Sequence, residues 1–334
     1  MPSRRSFLRG STAAAALWGL ARLDGLAQTG GGQARPRRVF AAGPPAAVLV
    51  YVLSPSALVG WPSKLDEAAV AMLGSAAKDL PVVGRLSGRG STVSLESLVQ
   101  LKPDLVLDIG NVDATRTSMA ERVRAQTGLP YELLDGRLAD SGALLRRVGA
   151  MLLLPERAEQ LARVSDRLVA DVAGGRAHRS ATRVYLARGA DGLETGLRGS
   201  INVEVVEFVG AQNVAAAAGS GSLTRVSLEQ VLAWDPDAIL TLDPAFAHWA
   251  LNDPVWRTTR AVRERRVWRA PTLPFGWLDA PPGINRLIGA VWLARRLDGV
   301  PTTTIREDVR AFYDTFYRVA LSAADLDRLL AEAA

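Results

Sequence analysis

The chain has 334 residues, of which 48% are hydrophobic and 22% are charged, and its formal net charge is +6. This length allows two domains of ordinary size, and the composition is that of a globular protein rather than a disordered one. The sequence has no cysteine and only two histidines, His178 and His248, which excludes disulfides, thiolate sites, cysteine nucleophiles and histidine-rich metal cages.

The N-terminal segment predicts an export signal. Residues 3–9 read SRRSFLR, in which Arg4 and Arg5 precede an apolar pair, and this resembles the twin-arginine signal. A weakly apolar stretch follows, and residues 25–27 (GLA) fit a small-x-small cleavage site. The stretch is too short and too rich in alanine to cross a bilayer of about 30 Å. We therefore expect export by the twin-arginine machinery, cleavage near Ala27 and a periplasmic protein without a lipid anchor.

The basic charge does not indicate a nucleic-acid partner. Removal of residues 1–27 takes away four arginines and one aspartate, which lowers the net charge from +6 to +3. Lysine occurs only at Lys64, Lys78 and Lys102, and the many arginines are spread along the chain. A nucleic-acid site needs clustered basic residues or a stacking motif. We therefore interpret the arginine content as a coding bias.

Several segments predict regular secondary structure. Residues 28–38, rich in Gly, Gln and Arg, predict a linker. The apolar run 46–53, bounded by Pro45 and Pro55, predicts a buried first strand. Further strands are predicted at 131–134, 183–187 and 267–270, and helices at 115–126 and 201–209.

An internal repeat is the most informative feature. Residues 93–110 read VSLESLVQLKPDLVLDIG, and residues 226–243 read VSLEQVLAWDPDAILTLD. Each copy predicts Ser94 or Ser227 as a helix N-cap, then a short helix, a Pro-Asp turn and a buried strand. A repeat at this distance predicts two similar α/β lobes.

The segment between the two copies predicts a long helix. Residues 141–173 are compatible with a helix almost throughout, and apolar residues recur at helical spacing from Leu161 to Val172. Such a helix would be a stiff connection rather than a flexible linker. The predicted organisation is a signal at 1–27, a linker at 28–38, an N-terminal lobe at 39–140, a connecting helix at 141–177 and a C-terminal lobe with terminal helices at 178–334.

These features together resemble the periplasmic binding proteins that deliver iron-siderophores and vitamin B12 to ABC importers. The resemblance rests on the signal, the two lobes, the spanning helix and the repeated S-L-E-x6-P-D element. Residues 275–289, FGWLDAPPGINRLIG, also resemble a signature of an iron-complex or oxyanion branch of that family. The resemblance implies an α/β fold of two Rossmann-like lobes joined by a single long α-helix, with the ligand cleft between the lobes.

The resemblance also implies a function. It points to a monomeric, non-catalytic periplasmic receptor that captures an iron complex, such as a siderophore chelate, and delivers it to an inner-membrane ABC permease. Receptors of the same kind for molybdate or tungstate, cobalamin or haem remain alternatives.

Two glutamates occupy matching positions in the repeats. In the family, one acidic residue of each lobe docks against arginines of the permease, so the resemblance implies this role for Glu96 and Glu229. A glutamate in the first turn of a helix is also favoured by the helix dipole alone, by about 0.3 to 1 kcal/mol. Each residue taken singly therefore fits a purely structural role as well.

The ligand pocket is expected between the lobes, where loops leave the carboxyl ends of the strands. The loops are 54–61, 85–91 and 110–113 in the first lobe and 190–200, 244–249 and 272–279 in the second. Their aromatic side chains suit a partly apolar chelate, although tryptophans also serve as core residues. Their arginines suit an anion, although most arginines of this chain must be surface residues. The candidates are Trp61, Phe246, Trp249, Phe275 and Trp277, and the polar Arg85, Arg89, Asp113, Glu194, Thr195 and Asp279.

An exported α/β enzyme that uses the same cleft is the alternative from another class. A serine triad would have to use His178 or His248, and the sequence has no G-x-S-x-G elbow. No sequence feature pairs two carboxylates for acid–base catalysis. The receptor is therefore the preferred interpretation, with no catalytic residue, resident metal or cofactor.

Overall fold

The computed structural model describes residues 38–88 and 90–332. The predicted signal at 1–27, nearly all of the linker predicted at 28–38, and Arg89 lie outside the described residues. The strands are β1 (Val39–Ala41), β2 (Leu105–Gly110), β3 (Tyr131–Asp135), β4 (Arg183–Ala187), β5 (Glu194–Gly196), β6 (Gln212–Asn213), β7 (Leu223–Arg225), β8 (Ala238–Thr241) and β9 (Val267–Arg269). The helices are α1 (Pro44–Leu53), α2 (Glu67–Leu73), α3 (Ser75–Lys78), α4 (Leu95–Gln100), α5 (Ala114–Thr127), α6 (Ser141–Met151), α7 (Pro155–Ala173), α8 (Arg176–Arg179), α9 (Glu204–Phe208), α10 (Leu228–Trp234), α11 (Pro244–Asn252), α12 (Arg260–Arg263), α13 (Arg286–Leu297), α14 (Arg306–Phe312) and α15 (Ala323–Glu332), with a π-helical turn at Tyr313–Tyr317.

The apolar run at 46–53 is a helix, so the prediction of a strand there was wrong. Helix α1 begins with Pro44 and Pro45, which lack N–H groups that the start of a helix leaves unpaired in any case. Every side chain from Ala46 to Leu53 is buried. A segment that is buried all round loses both the helical and the strand periodicity, so its pattern fits either structure. The first strand is instead β1, which directly follows the predicted linker.

Two parallel sheets form the two halves of the molecule. The first has the order β1-β2-β3, with Val39 opposite Leu105 and Val106 opposite Tyr131. The second has the order β6-β4-β8-β9, and a short antiparallel pair joins β5 and β7. Parallel neighbours require crossover connections, which helices supply here. The predicted two-lobed α/β fold is confirmed.

Most of the predicted elements are confirmed. Strands β3, β4 and β9 and helices α5 and α9 coincide with the segments predicted at 131–134, 183–187, 267–270, 115–126 and 201–209, within a few residues at the ends. The repeat is confirmed as well, since Ser94 Oγ accepts the N–H of Ser97 at 3.0 Å and Ser227 Oγ accepts that of Gln230 at 3.2 Å. Each capped helix leads into an inner strand of its own sheet, β2 or β8.

The connection between the sheets is a helical hairpin, so the prediction of one continuous helix over 141–177 was wrong in its bounds. Helix α6 ends at Met151, and Leu153 adopts a φ of 52°, a conformation that breaks a right-handed helix. Helix α7 then folds back along α6, and Arg146 Nε donates to Glu159 Oε2 at 2.7 Å. The 19 residues of α7 span about 28 Å, so α7 alone is the long connecting helix.

One hydrophobic core joins the two sheets. Its buried side chains come from β1 and α1 in the first half, from α7, and from β4, β8 and α13 in the second. Smaller cores cover the other faces of the sheets. Pulling the halves apart would expose the shared apolar surface to water, which limits hinge motion.

An arginine closes one end of this core. Arg157 of α7 donates to the carbonyl oxygens of Val52 and Thr315, at 3.1 and 2.6 Å. Burial lowers the pKa of Arg157 to about 10. The same side chain thus holds the end of α1 and the C-terminal π-helical turn.

None of the described helices is long and apolar enough to span a membrane. Within residues 38–88 and 90–332 there is also no group of three or more histidine, aspartate and glutamate side chains placed to hold a metal ion.

We predict that Gly149→Val destabilises the α6–α7 hairpin. A Cβ atom on Gly149 would lie 2.1 Å from the Cβ of Ala158, so a side chain there forces the helices apart, at a cost of about 1–3 kcal/mol. Urea unfolding followed by circular dichroism measures the loss. Ala150→Val places the same side chain on the exposed neighbouring position and should change the free energy of unfolding by only about 0.5 kcal/mol. Equal losses in the two variants would contradict the prediction.

We predict that the buried tyrosines ionise only as the protein unfolds. Burial raises the pKa of Tyr51, Tyr131, Tyr185 and Tyr317 above the ordinary value of about 10. The unfolded chain therefore loses these protons first, and the free energy of unfolding falls as the pH rises above about 10. Tyrosinate absorbance and loss of far-ultraviolet circular dichroism should appear together in an alkaline titration, whereas a sample denatured in guanidinium should titrate near its ordinary pKa. Tyrosinate that forms in bulk while the circular dichroism is intact would disprove this.

Candidate ligand-binding site

The carboxyl ends of β2 and β4 mark a place where the two halves meet. Asn111, directly after β2, contacts the second half through both side-chain atoms. Its Nδ2 donates to the carbonyl oxygen of Gly199 at 3.1 Å, and its Oδ1 accepts the N–H of Ile201 at 3.2 Å. In α/β proteins this edge of the sheet carries the binding site. We call the segments of the two halves that face each other across the expected cleft its rims. The cleft is narrow here, because the two rims are joined by direct hydrogen bonds.

Arg188 lies at the corresponding end of the second sheet, directly after β4. Its backbone N–H donates to the carbonyl oxygen of Glu194 at 2.9 Å. Its Nε lies 2.6 Å from Oδ2 of Asp279, and its Nη1 lies 3.0 Å from Oε1 of Glu194. The Arg188 side chain is only 13% exposed. A largely enclosed guanidinium thus lies between two carboxylates.

Two atoms of this arrangement lack hydrogen-bond partners. Asp279 is fully buried, and its Oδ1 accepts Nδ2 of Asn202 at 2.9 Å. Among the described residues, however, neither Nη1 of Arg188 nor Oδ2 of Asp279 has a hydrogen-bond partner, because their ion-pair contacts are close but poorly aligned. A buried unpaired polar atom costs about 1–3 kcal/mol and is rare in folded proteins. At this edge of the sheets, such an atom could bind a ligand.

We call this group the cleft cluster: Asn111, Arg188, Glu194, Asn202 and Asp279. The asparagine amides and the guanidinium supply hydrogen-bond donors of the kind that bind oxyanions. One guanidinium and two carboxylates leave the cluster with a formal charge of −1. An anionic ligand would therefore compete with Glu194 and Asp279 for Arg188.

Two of the polar residues predicted from the sequence, Glu194 and Asp279, belong to the cleft cluster. Thr195 is fully buried, and its hydroxyl has no hydrogen-bond partner among the described residues. Asp113 is exposed and caps α5 by accepting the N–H of Arg116 at 2.9 Å. The contribution of Thr195 and Asp113 to ligand binding stays a prediction.

Arg85, one of the two predicted arginines, lies outside the cleft cluster. Arg85 lies at a surface cavity of about 570 Å³ that is lined by residues 62–63, 82–85, 92–94 and 97 of the first half. Its Nε donates to the carbonyl oxygen of Gly90 at 3.2 Å. Arg89 is outside the described residues.

Trp61 and Phe275 are part of the shared core. The Trp61 ring packs between Tyr51 and Phe275, with centroids 5.1 and 6.0 Å away, and its indole N–H donates to the carbonyl oxygen of Ala77 at 3.0 Å. The loop of Trp61 follows helix α1 instead of a strand, so the reason for placing it in the pocket no longer applies. Phe275 still connects the halves, because it contacts Trp61 from the second one.

The other predicted aromatic residues also serve packing. The indole N–H of Trp277 donates to the hydroxyl of Tyr313 at 3.0 Å, and Phe246 packs edge-on against Trp256 at 5.2 Å. Trp249 is 41% exposed and packs against both Phe246 and Trp256. Ligand contact by any of these rings stays a prediction.

Sequence reasoning did not single out Arg188, Asn111 or Asn202, although Asn111 lies in the pocket loop predicted at 110–113. Arg188 is the first residue after a strand that was predicted correctly at 183–187, but the expected loop began only at 190. Asn202 was assigned to a helix. The rule that residues directly after a parallel strand face the cleft would have found Arg188.

Glu96 and Glu229 are both exposed in the first turns of α4 and α10. Nε2 of Gln100 donates to Oε1 of Glu96 at 3.4 Å. Hydrogen bonds from its own backbone N–H and from Ser227 lower the pKa of Glu229. The two carboxylates therefore present matching acidic positions to solvent, one on each half.

Comparison with known proteins gives the family. The sequence profile of the periplasmic binding protein family matches residues 62–272. The chain is 29% identical to the molybdate-binding protein MolA of Haemophilus influenzae over 259 residues. The aligned region covers 70% of this chain and 73% of MolA. It is 28% identical over 231 residues to the vitamin B12-binding protein of Pectobacterium atrosepticum, covering 65% of this chain and 76% of that protein.

Solved structures share the fold. An ABC transporter solute binding protein from Sulfurospirillum deleyianum superposes with a TM-score of 0.80 at 25% identity, over 89% of this chain and 94% of that one. MolA bound to molybdate superposes with a TM-score of 0.69 at 23% identity, over 86% and 94% of the two chains. The chain therefore belongs to the periplasmic binding protein family, whose members are solute receptors of ABC importers and not enzymes.

Proposed function

We propose that this receptor binds a small oxyanion, such as molybdate or tungstate, and delivers it to the inner-membrane permease of its ABC importer. The observation that carries the proposal is the guanidinium of Arg188, whose buried Nη1 lies 3.0 Å from Oε1 of Glu194 but has no hydrogen-bond partner among the described residues. Arginine offers its N–H groups in a planar fork that matches two oxygens of an anion.

The size of the cleft supports a small ligand. Asn111 bonds directly across the cleft to Gly199 and Ile201. The indole N–H groups of Trp61 and Trp277 are already used within the protein. An iron-siderophore chelate, which the sequence favoured, needs more apolar surface than the polar residues of the cleft cluster supply, and so do cobalamin and haem.

The relatives are consistent with either ligand class. MolA is named for molybdate, and other relatives are named for vitamin B12. The residues of the cleft cluster favour the first, because they are polar and charged.

Ligand binding would work by differential affinity. Asn111 comes from the first half, whereas Arg188 and Asn202 come from the second. A ligand held by both rims stabilises the closed state, and the permease would recognise that state. We further propose that the receptor is a monomer and reaches the periplasm by the twin-arginine route, on the basis of Arg4 and Arg5.

We predict that Arg188→Gln abolishes stabilisation by molybdate. The wild-type protein at about 100 times its Kd should gain about 2.7 kcal/mol, seen as a rise in Tm. The variant should show no rise, because its amide lacks the charge and the planar fork. Arg163→Gln is the matched control, since Arg163 is an exposed arginine paired with Glu159 on α7, is not part of the cleft cluster and should leave the rise intact.

The same assay separates the ligand classes. Tungstate, cobalamin, haem and a ferric siderophore are tested alongside molybdate. Glu194→Gln should bind the oxyanion more tightly than wild type, because it removes one carboxylate that competes for Arg188. A rise with an iron complex or cobalamin, and none with either oxyanion, would overturn the proposal.

We predict that charge reversal of Glu96 and Glu229 blocks transport and leaves ligand binding intact. Both carboxylates are exposed and lie outside the cleft cluster, so their change to arginine should repel the arginines of the permease. Ligand uptake by proteoliposomes that contain the importer measures the loss. Glu121 and Glu264, which are also exposed, serve as the control pair for reversal. Undiminished uptake with the Glu96 and Glu229 variant would refute the docking role.

A further inference from the structure

Arg286 is a buried arginine whose hydrogen bonds reach both halves of the molecule. It is the first residue of α13 and is 3% exposed. In the second half, its Nε donates to the carbonyl oxygen of Gly283 at 3.1 Å and its Nη1 to that of Ile201 at 3.2 Å. Its Nη2 donates to the carbonyl oxygen of Gly136, directly after β3 in the first half. One guanidinium therefore holds backbone from both rims.

Glu204 completes the arrangement from the second half. Its Oε2 pairs with Nη1 of Arg286, and its Oε1 accepts the N–H of Leu138 at 2.9 Å. The two charged side chains thus hold the first-half segment 136–138 from two sides, one through a carbonyl oxygen and the other through an amide. A buried charge persists only when it is paired and its hydrogen bonds are made.

Gly136 lets the two rims approach closely, because it has no side chain. A Cβ atom there would lie 2.9 Å from Cγ2 of Ile109 and 2.9 Å from Cδ1 of Ile201. A larger residue would therefore push the rims apart. The close approach brings the Gly136 carbonyl oxygen within reach of Arg286.

The contact adjoins the cleft cluster. Ile201 accepts from Arg286 through its carbonyl oxygen and donates to Asn111 through its N–H. The next residue, Asn202, donates to Asp279. A shift of the segment around Ile201 would thus move two members of the cleft cluster.

We propose that Arg286 and Glu204 form a latch that holds the two rims together and sets how readily the cleft opens. They are positioning residues that act on the ligand through Asn111 and Asn202. Only the effect on the ligand rests on the proposed function, because the latch itself is formed by the protein alone.

Amide hydrogen exchange of the ligand-free protein tests the latch. In Arg286→Met, exchange should become about tenfold faster at the N–H groups of both Leu138 and Ile201, which report the opening of the rims. The Ile201 N–H is the decisive probe, because its acceptor is Asn111 and not the substituted residue. Glu204→Gln is the second variant and keeps the shape of the side chain in case Arg286→Met does not fold.

The chain offers a matched control near the other end of α13. Arg179, whose side chain is 6% exposed, forms two hydrogen bonds of 2.9 Å with Asp298 and contacts no first-half residue among its described hydrogen bonds. Arg179→Met removes a comparable buried ion pair, so it should lower stability without changing exchange at Leu138 or Ile201.

Failure of the latch can be distinguished from failure of the proposed ligand. Molybdate affinity should fall severalfold in the two latch variants, because Asn111 and Asn202 are then held less firmly in place, and it should stay unchanged in Arg179→Met. If molybdate binds none of the proteins, the proposed ligand fails while the exchange data still decide the latch. Unchanged exchange at Ile201 in both latch variants, or equal acceleration in Arg179→Met, would overturn the proposal.

Discussion

The burial of α1 is the constraint on which the rest of the structure depends. Every side chain from Ala46 to Leu53 is apolar or aromatic and hidden from water, so the helix must be surrounded by elements of both halves. Strands β1 and β2, helix α6 and the C-terminal π-helical turn pack against α1, and the same core continues through α7 and α13 to the second sheet. Hydrophobic burial is not directional. The relative position of the halves is therefore refined by polar contacts at the rims, where Asn111 and Arg286 supply directed hydrogen bonds.

The arginines of this chain fall into two groups with different roles. Most are solvated, and their abundance needs no function. A few are buried and hold groups that a lysine ammonium could not reach together, because a guanidinium offers five N–H donors in a fixed plane. Arg157 and Arg286 hold carbonyl oxygens of distant segments. Arg188 differs from them, since it meets two carboxylates in an alignment that leaves one N–H donor without a hydrogen bond. This difference separates a structural arginine from one suited to a ligand.

The sequence predicted the fold class and the repeat correctly because these depend on local signals. At Ser94 and Ser227 the serine hydroxyl accepts the backbone N–H of the residue three positions later. Such an N-cap depends on the local sequence and not on tertiary contacts. The run 46–53 was misread because complete burial removes periodicity, and burial is a property of the whole fold. The break at Leu153 was missed for the same reason, since the hairpin is stabilised by packing between α6 and α7. The cleft cluster was found only in part, because its members come from four separate segments whose meeting depends on the relative placement of the halves.

The shared core has a consequence for the history of the molecule. A repeat of the kind seen at 93–110 and 226–243 indicates that one α/β unit was duplicated, and such a unit should once have folded by itself. The present halves have lost that independence, because residues of both sheets share one continuous apolar core with α1, α7 and α13. Either half alone would expose a broad apolar face, and a fragment of that kind is prone to aggregate. Duplication has thus produced one cooperative folding unit from two former ones. A circular permutant cut within the α6–α7 hairpin would keep the whole shared core, whereas a separated half would lose part of it.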